Sequence, residues 1–348
     1  MNTNYDAIVV GAGHNGLVTA AYLARAGLKV GVFEARHVVG GAAVTEELWK
    51  GYRISRCSYV NSLFRPEIVR ELDLRKHGFE MLPRDPSSFS PFPDGRHLLL
   101  GPDKKLVHDE ISKFSRKDAE AFPRYEAMLE GIAEVLEPML AMIPPNPAKL
   151  SFAEMATYGK FALRHRSKLR GRWDEILRLF TCSGKDLLDE WFESEELKVT
   201  LATDAVIGAN ASPSSPGTAY ILFHHVMGEC NGVRGVWGYM KGGMGGLSES
   251  LAGACRALGV EIHLSSPVQK ITARNGQATG IVVAGGREYT STLVVSGADP
   301  RVTFEKLVGA RELPEEFFAK VKRISYDSAS VKINLALSEL PDFSAAPR

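Results

Sequence analysis

A glycine-rich turn near the N-terminus constrains the fold of this 348-residue chain more than any other feature. Gly11, Gly13 and Gly16 stand between an apolar run at 7–10 and an alanine- and leucine-rich stretch, and a second apolar run follows at 30–33. This order predicts a strand, a helix and a second strand parallel to the first. In the GxGxxG pattern the first glycine permits a tight turn, the second admits a pyrophosphate and the third lets the helix pack on the strand.

An acidic residue completes the pattern. Glu34 stands at the end of the second predicted strand, about 20 residues after the glycines, where a carboxylate accepts hydrogen bonds from a ribose diol and disfavours a 2′-phosphate. The N-terminus of the intervening helix would face the phosphates with its partial positive charge. We therefore predict a dinucleotide site rather than an ordinary glycine-rich turn. FAD and NAD share this fingerprint, so the residues up to Glu34 leave both open.

The remainder of the chain predicts a two-lobed α/β protein whose Rossmann-type nucleotide-binding lobe is discontinuous in sequence. Residues 81–235 begin with short β-like runs and continue as charged, mainly helical sequence, which predicts a second, α+β substrate lobe. After the Gly242–Gly246 loop the chain returns to the first lobe with a helix and a β-meander, whose hairpins are marked by Asn275-Gly276 and Gly285-Gly286. The apolar run at 293–295 predicts a further parallel strand. The predicted domains are 1–80 and 236–300 for nucleotide binding, 81–235 for the substrate lobe and 301–348 for the start of a further substrate-lobe segment.

Composition removes several classes of function. Lys and Arg total 42 against 41 Asp and Glu, so net charge does not favour nucleic acid. Cys57, Cys182, Cys230 and Cys255 are widely spaced and form no CxxC, which argues against a disulfide framework, a zinc site or a redox-active dithiol. The first strand starts too early for a targeting peptide, and no apolar run is long enough to span a bilayer. We expect a cytoplasmic protein.

One basic stretch leaves an anionic membrane surface as a further candidate partner. Residues 158–172 alternate Arg, Lys and His with Phe161, Leu163 and Leu169. Such a stretch is typical either of a helix on an anionic membrane surface or of a solvated basic helix face. The sequence favours the solvated face, and peripheral membrane contact stays as the alternative.

Three separated segments resemble the amine oxidase and phytoene desaturase flavoproteins. Glu34-Ala35-Arg36 followed by Gly40-Gly41 resembles the E-A-R-x-x-x-G-G extension of those proteins, in which the paired glycines admit the flavin-side pyrophosphate. Val268 stands where their meander contacts adenine through the backbone, and the segment 296–300 resembles their third FAD segment. The resemblance implies FAD as cofactor. The residues predicted to bind it are Gly11, Ala12, Gly13, His14, Asn15, Gly16, Glu34, Ala35, Arg36, Gly40, Gly41, Ala42 and Val268.

More narrowly, the sequences at 11–17, 40–46 and 241–246 look like those of the pyridine nucleotide-disulfide oxidoreductase domain-containing protein 2 group, relatives of the phytoene desaturases and carotenoid ketolases. The resemblance covers essentially the whole chain. It implies mitochondrial and regulator-like relatives in animals. Two departures are expected to matter. No dithiol motif and no second GxGxxG is present, and the final segment that holds the ribityl and ring portions of flavin in these proteins is not found after Leu340. We expect a C-terminally truncated version.

The predicted function is that of an FAD-dependent oxidoreductase of the phytoene desaturase-like type, which transfers hydride from an apolar or amphipathic substrate to flavin, with oxygen or a quinone as acceptor. The alternatives are a carotenoid desaturase or ketolase at the membrane surface and a non-catalytic FAD-binding regulatory protein or fragment. A homo-oligomer or a companion chain fits any of them. No catalytic base is predicted, because the flavin carries the chemistry.

Several side chains near the predicted site have a structural interpretation as well as a functional one. His224-His225 has no third ligand at metal spacing, so no metal site is predicted. Lys241 beside the glycine loop is interpreted as a solvated lysine rather than a group near the flavin. The aromatic residues Trp237, Tyr239, Phe89 and Phe92 are interpreted as packing anchors, with a substrate tunnel as the alternative.

Overall fold

The structure is a computed structural model that describes residues 3–144, 146, 148, 151–343 and 345. The strands, in chain order, are β1 (Ala7–Val10), β2 (Val30–Phe33), β3 (Thr45–Trp49), β4 (Tyr52–Ser55), β5 (Met81–Pro83), β6 (Ser88–Pro91), β7 (His97–Leu100), β8 (Glu229–Cys230), β9 (Val233–Arg234), β10 (Gly238–Met240), β11 (Glu261–His263), β12 (Val268–Arg274), β13 (Gln277–Val283), β14 (Glu288–Thr290) and β15 (Leu293–Ser296).

The α-helices, in chain order, are α1 (His14–Arg25), α2 (Pro66–Glu71), α3 (Lys104–Ser112), α4 (Arg116–Leu136), α5 (Phe152–Leu169), α6 (Trp173–Thr181), α7 (Gly184–Trp191), α8 (Glu195–Ala202), α9 (Thr218–Val226), α10 (Gly245–Ala257) and α11 (Glu315–Lys322). Shorter helical turns, of 3-10 or π type, span Leu74–His77, Glu137–Ala141, Thr203–Val206, Val302–Val308 and Ala310–Glu312. No described helix is both long enough and apolar enough to cross a membrane.

The chain divides into two compact units. Unit 1 comprises the chain up to Leu82, Gly238–Tyr326 and Lys332–Ala336. Unit 2 comprises Pro83–Trp237, Asp327–Val331 and the chain from Leu337. Unit 1 is therefore built from segments that are far apart in sequence.

A four-stranded parallel sheet forms the centre of unit 1. Its strand order is β11-β2-β1-β15, with Ala7 paired to Val30 on one side and to Leu293 on the other. All residues of β1 and β2 are buried, because side chains on both faces of a parallel sheet pack against other elements. Ile8 packs with the meander, whereas a Cβ on the α1 residue Gly16 would approach the Val9 side chain. The predicted parallel strands are confirmed.

The β-meander of unit 1 consists of β12, β13 and β14 in antiparallel order. The turn between the first two strands places Asn275 at φ 52° and Gly276 at φ 75°, the left-handed pair that a two-residue hairpin requires. Gly285 and Gly286 supply the same conformation before β14, at φ 86° and 80°. Both predicted hairpins are confirmed, and with the sheet they confirm the predicted α/β class.

Unit 2 is mainly helical, with α3 to α9 around a buried apolar core and the short hairpins β6-β7 and β8-β9. A fully buried carboxylate joins distant parts of it. Asp118 in α4 accepts hydrogen bonds from the backbone N–H groups of Glu193 and Ser194 and from the Ser194 hydroxyl, at 2.9, 2.8 and 2.5 Å. These donors lie at the start of α8, so the buried charge is satisfied by otherwise unpaired N–H groups.

The basic stretch at 158–172 is not one helix. It begins inside α5, and the chain turns at Gly171, whose φ of 81° a helix cannot continue. α6 starts two residues later at Trp173. The basic residues up to Lys168 therefore share α5, whereas Arg170 is its C-cap and Arg172 lies beyond the turn.

Candidate cofactor-binding site

The predicted glycine turn lies at the carboxyl end of β1. Gly11 adopts φ 94° and its N–H donates to the carbonyl of Phe33 at 2.8 Å, which ties the turn to the end of β2. A Cβ on Gly16 would stand 2.3 Å from the carbonyl oxygen of Gly11, so a larger residue would push α1 away from the strand. A Cβ on Gly13 would meet nothing within 4 Å. The first and third glycines are thus required by the protein itself, and the second faces open space.

The N-terminus of α1 opens beside that space. Gly13 is its N-cap residue, and no described side chain caps the helix. The first N–H groups of a helix have no intrahelical partner and carry a partial positive charge. His14 and Asn15 form the first turn. Burial lowers the pKa of His14, so its imidazole is neutral at pH 7 and adds no charge of its own there.

A second glycine pair approaches the turn. Gly40 and Gly41 have φ values of 123° and 56°, and the Gly40 N–H donates to the Ala12 carbonyl at 2.8 Å. A Cβ on Gly41 would stand 3.3 Å from the Cα of Gly13. Ala42, the next residue, is exposed. The two glycine segments, about 30 residues apart in sequence, therefore form one backbone surface whose close approach requires residues without side chains.

Glu34 is buried between these segments and the end of the sheet. One carboxylate oxygen accepts the Ala12 N–H at 2.8 Å and the other accepts the Arg36 N–H at 2.9 Å. Each carboxylate oxygen has further acceptor capacity, so the fixed carboxylate can still accept hydroxyl donors. The backbone carbonyl of Glu34 accepts the Ser266 N–H at 2.8 Å, which brings the start of the meander, and with it the half-buried Val268, to the same end of β2.

Arg36 and the exposed Ala35 follow the carboxylate. The Arg36 guanidinium donates to Glu46 at 2.5 Å, and Arg56 donates to the other oxygen of Glu46 at 3.2 Å. Both cations lower the pKa of Glu46, and the hydrogen bond from Arg36 has the larger effect. The ion pair fixes the Arg36 side chain against β3, which starts at Thr45, shortly after the glycine pair.

The structure adds a residue that the predicted set omits. Gly297 follows β15, its N–H donates to the Val10 carbonyl at 2.8 Å, and a Cβ there would stand 3.3 Å from the same oxygen. The apolar strand followed by Ser296 and a glycine was the signal for it. Asp299, in the same segment, accepts the N–H groups of Val302 and Arg301 and so caps the following helical turn, and these bonds lower its pKa. Asp299 therefore has a structural role.

The Gly242–Gly246 loop has a different environment. Ser55 and Thr45 accept the N–H groups of Met244 and Gly245 at 3.0 and 2.9 Å, so hydroxyls of the β3-β4 hairpin cap α10. A Cβ on Gly243 would stand 2.4 Å from the Thr45 hydroxyl. Contact with the hairpin therefore requires glycine at Gly243 and, through the Thr45 backbone nitrogen 2.9 Å from a Cβ, at Gly245.

Other candidate side chains have protein partners. Lys241 forms an ion pair with Glu80 at 2.9 Å and is otherwise exposed. His225 is buried and stacks on Trp237, with ring centroids 5.3 Å apart. Its Nδ1 lies 2.8 Å from the Ile221 carbonyl and so donates to it. His224, its neighbour on α9, has a pKa lowered by burial.

The remaining aromatic residues are placed by similar contacts. Phe89 packs edge-on against Phe343 at 5.4 Å, and Phe92 packs edge-on against Phe114 at the same distance. Tyr239 is partly exposed on β10. The packing interpretation accounts for both phenylalanines.

A cavity of about 440 Å³ lies within unit 2. Charged groups contribute most of its lining: Lys117, Arg124, Asp174, Glu175, Arg178 and Glu190. Opposite charges are mixed there, so the cavity has neither the apolar lining of a hydrocarbon site nor one sign of charge. It carries no substrate assignment.

Comparison with known proteins agrees with this geometry. Residues 16–341 match the flavin containing amine oxidoreductase family. The chain is 43% identical to the rat (Rattus norvegicus) pyridine nucleotide-disulfide oxidoreductase domain-containing protein 2, over 100% of this chain and 62% of the relative. It is 27% identical to the phytoene desaturase of Cercospora nicotianae, over 87% of this chain and 46% of the relative.

A solved structure supports the fold. Putrescine oxidase bound to putrescine superposes with a TM-score of 0.56 at 19% identity, covering 92% of this chain and 64% of that one. The chain spans about 62% of the length of the rat protein. These matches confirm the predicted family resemblance and FAD as the cofactor, and they place the chain in a family of oxidoreductases. The chain belongs to the flavin containing amine oxidoreductase family.

Proposed function

We propose that this chain binds FAD through residues 1–80 and 236–300 and is the cofactor-binding part of an oxidoreductase that takes hydride from an apolar or amphipathic substrate. Residues 81–235 and 301–348 are proposed to serve the substrate. The observation that carries the proposal is the open space at Gly13 beside the uncapped N-terminus of α1. Among the glycines of the turn, it alone combines free space with nearby helix N–H donors.

Each part of the ADP half of the cofactor has a complementary group in the proposal. The pyrophosphate lies against Gly11, Ala12 and Gly13, with His14, Asn15 and Gly16 supplying the helix N-terminus. Gly40, Gly41 and Ala42 approach it from the flavin side. Glu34 accepts the hydroxyls of the adenosine ribose, and Ala35 and Val268 border the adenine. Arg36, held by Glu46, adds a positive charge near the phosphates.

The relatives support the proposed substrate class. Phytoene desaturase is named for a hydrocarbon substrate, which supports an apolar substrate here. When bound, the flavin accepts a hydride from a substrate C–H bond and passes the electrons to oxygen or a quinone. The contribution of this chain is to bind and orient the cofactor, because no residue of the described site is assigned as a base.

The test uses the visible absorption spectrum of the purified chain with and without added FAD. Gly13→Ala is the sharpest variant, because its Cβ meets no protein atom within 4 Å and should leave folding unchanged while it crowds the pyrophosphate. Gly13→Asp adds a negative charge and should abolish binding. Gly159→Ala is the matched control, since a Cβ there also meets nothing.

Flavin absorbance in the wild type and in Gly159→Ala, with loss in both Gly13 variants at thermal stability that is not lowered, would support the proposal. Binding that survives Gly13→Asp would refute the assigned pyrophosphate position. Flavin that binds but is not reduced by any apolar substrate would instead favour the non-catalytic alternative.

A further inference from the structure

Helix α5 in unit 2 has two apolar sides, and only one of them is packed. The inward side consists of Tyr158, Phe161, His165 and Leu169, spaced three or four residues apart and at least partly buried. Phe161 and Leu169 join the apolar core of unit 2. This row is sufficient to hold the helix on the unit.

The opposite side exposes large apolar side chains at the same helical spacing. Phe152 is 88% exposed, Met155 46% and Leu163 66%, and the small residues Ala156 and Gly159 lie between them. A single exposed leucine needs no explanation, but a row along one helix face does. A solvated helix would carry polar residues on this side.

The exposed residue Ile143 lies near the packed side of α5, because its carbonyl accepts the hydroxyl of Tyr158 from the inward row. The N-terminus of α5 is well formed despite its exposure. Ser151 and Glu154 make a reciprocal capping box, in which each side chain accepts the backbone N–H of the other residue.

Basic side chains border the exposed row. Lys160 and Arg164 follow one edge of it and Arg166 lies near the other, and all are exposed. Within the described chain, none of these side chains takes part in an ion pair, whereas Lys168 pairs with Glu134 at 2.5 Å. The cations beside the apolar row are therefore available to a partner.

Local charge is strongly unbalanced on this helix, although the whole chain is nearly neutral. Across residues 152–170 the bases are Lys160, Arg164, Arg166, Lys168 and Arg170, whereas Glu154 is the acidic residue. The Glu154 carboxylate accepts the Ser151 N–H in the capping box, on the inward side. The exposed side is thus apolar at its centre and positive at its edges.

We propose that this exposed side of α5 docks on the surface of an anionic lipid bilayer. Phe152, Met155 and Leu163 would enter the boundary between headgroups and acyl chains, and Lys160, Arg164 and Arg166 would contact lipid phosphates. A protein partner of the same chemistry would need an acidic surface shaped around isolated apolar side chains. A fluid bilayer accommodates both without such a match.

The proposal is tested by flotation of the full chain with vesicles of mixed phosphatidylcholine and phosphatidylglycerol, and with vesicles of phosphatidylcholine alone. We expect binding to the mixed vesicles that weakens with added salt. Arg164→Gln with Arg166→Gln should lower the partition coefficient roughly 30-fold, the effect of two basic residues at an anionic surface. Phe152→Ala with Leu163→Ala should lower it roughly tenfold.

Matched controls remove the same groups elsewhere. Arg274→Gln with Arg311→Gln removes two exposed cations, and Val331→Ala with Ile333→Ala removes two exposed apolar side chains. Neither should change binding. All the substituted side chains are exposed, so each variant is expected to fold, and circular dichroism checks this.

Three results would overturn the proposal: no flotation with mixed vesicles, equal loss in variants and controls, or self-association of the wild type that the α5 variants abolish while vesicle binding is absent. The last would assign the surface to a second copy of the chain. Flavin absorbance is read in parallel, so failure of lipid binding and failure of cofactor binding are separate outcomes.

Discussion

Two glycine-rich loops of unit 1 lead into helices and resemble each other closely. One precedes α1 and the other precedes α10, and the two helices pack together. A Cβ on Gly16 would stand 2.3 Å from the oxygen of Gly11, and a Cβ on Gly246 would stand 2.7 Å from that of Lys241, five residues earlier in both cases. In each loop a glycine lets the first helical turn approach the preceding chain.

The loops differ in what approaches the start of the helix. Thr45 and Ser55 cap α10 with their hydroxyls, and a Cβ on Gly243 or Gly245 would collide with the hairpin that carries them. At α1 no described side chain caps the helix, and Gly13 faces open space. A glycine pattern therefore shows that something lies close to the backbone, while only the neighbours show whether it is protein or ligand.

The largest effect on stability is expected at Gly16 and Gly246, the glycines that approach a carbonyl oxygen five residues earlier in both loops. Gly16→Ala should destabilise the protein by about 3 kcal/mol, because the new Cβ forces the helix away from the turn. Gly246→Ala should cost about 2 kcal/mol, since its contact is less severe. Urea unfolding of both variants checks this. Gly13→Ala is the control, because its Cβ meets no protein atom within 4 Å. Equal stability of all three would mean that the turns relax freely.

The next effect separates the loops. Thr45→Val and Ser55→Ala each remove a cap from α10 and should each lower the free energy of unfolding by about 1 kcal/mol. Flavin affinity should be unchanged, because these hydroxyls cap α10 and the proposed cofactor site is at α1. Thermal melts and FAD titration measure the two quantities. A loss of flavin affinity at unchanged stability would place the cofactor at α10 and reverse the comparison.

An acidic pH effect is expected from the ion pair between Arg36 and Glu46, which stands on the hairpin that caps α10. The folded-state pKa of Glu46 is below its ordinary value of 4.5, chiefly because Arg36 donates to it. Its contribution to stability is thus complete above pH 4.5 and is lost as the pH falls through the folded-state pKa. We expect about 1 kcal/mol, which Glu46→Gln should remove together with this part of the pH dependence. Unfolding curves of both proteins between neutral and acid pH provide the measurement.

The smallest effect is expected for Gly13→Ser, which should raise the stability of the protein and lower its affinity for FAD. Gly13→Ser supplies a side-chain cap to α1 at a residue whose backbone is already extended, with φ −68° and ψ 165°. The protein without cofactor should gain about 0.3 kcal/mol. FAD should bind more weakly, since the hydroxymethyl group occupies the open space. A stabilised variant with unchanged FAD affinity would show that the space at Gly13 is not used.

Much of the fold could be predicted because its signals are local. The runs at 7–10 and 30–33 are apolar throughout, as strands buried on both faces must be, and the Asn275-Gly276 turn needs left-handed backbone. The alternation of apolar residues that predicts the meander is likewise a pattern within a few residues. The predicted site residues stay a proposal, although the structure brings together the glycine turn, Glu34, the Gly40-Gly41 pair and the start of the meander.

Long-range contacts could not be predicted in this way. Nothing near Thr45 or Ser55 in sequence indicates that they cap a helix about 200 residues later. The basic stretch at 158–172 indicated amphipathic character, but its apolar residues serve two opposite faces. Phe161 and Leu169 are on the packed side, and Leu163 is on the exposed side.

The sequence by itself determined the glycine turn, the acid that follows β2 and the parallel strands β1, β2 and β15, because backbone sterics and hydrophobic periodicity act over a few residues. Only the tertiary structure decided which glycine faces open space, which helix N-terminus is capped and which side of α5 is exposed. Those properties depend on what the rest of the chain places nearby, and that follows from packing of the whole molecule rather than from any local pattern.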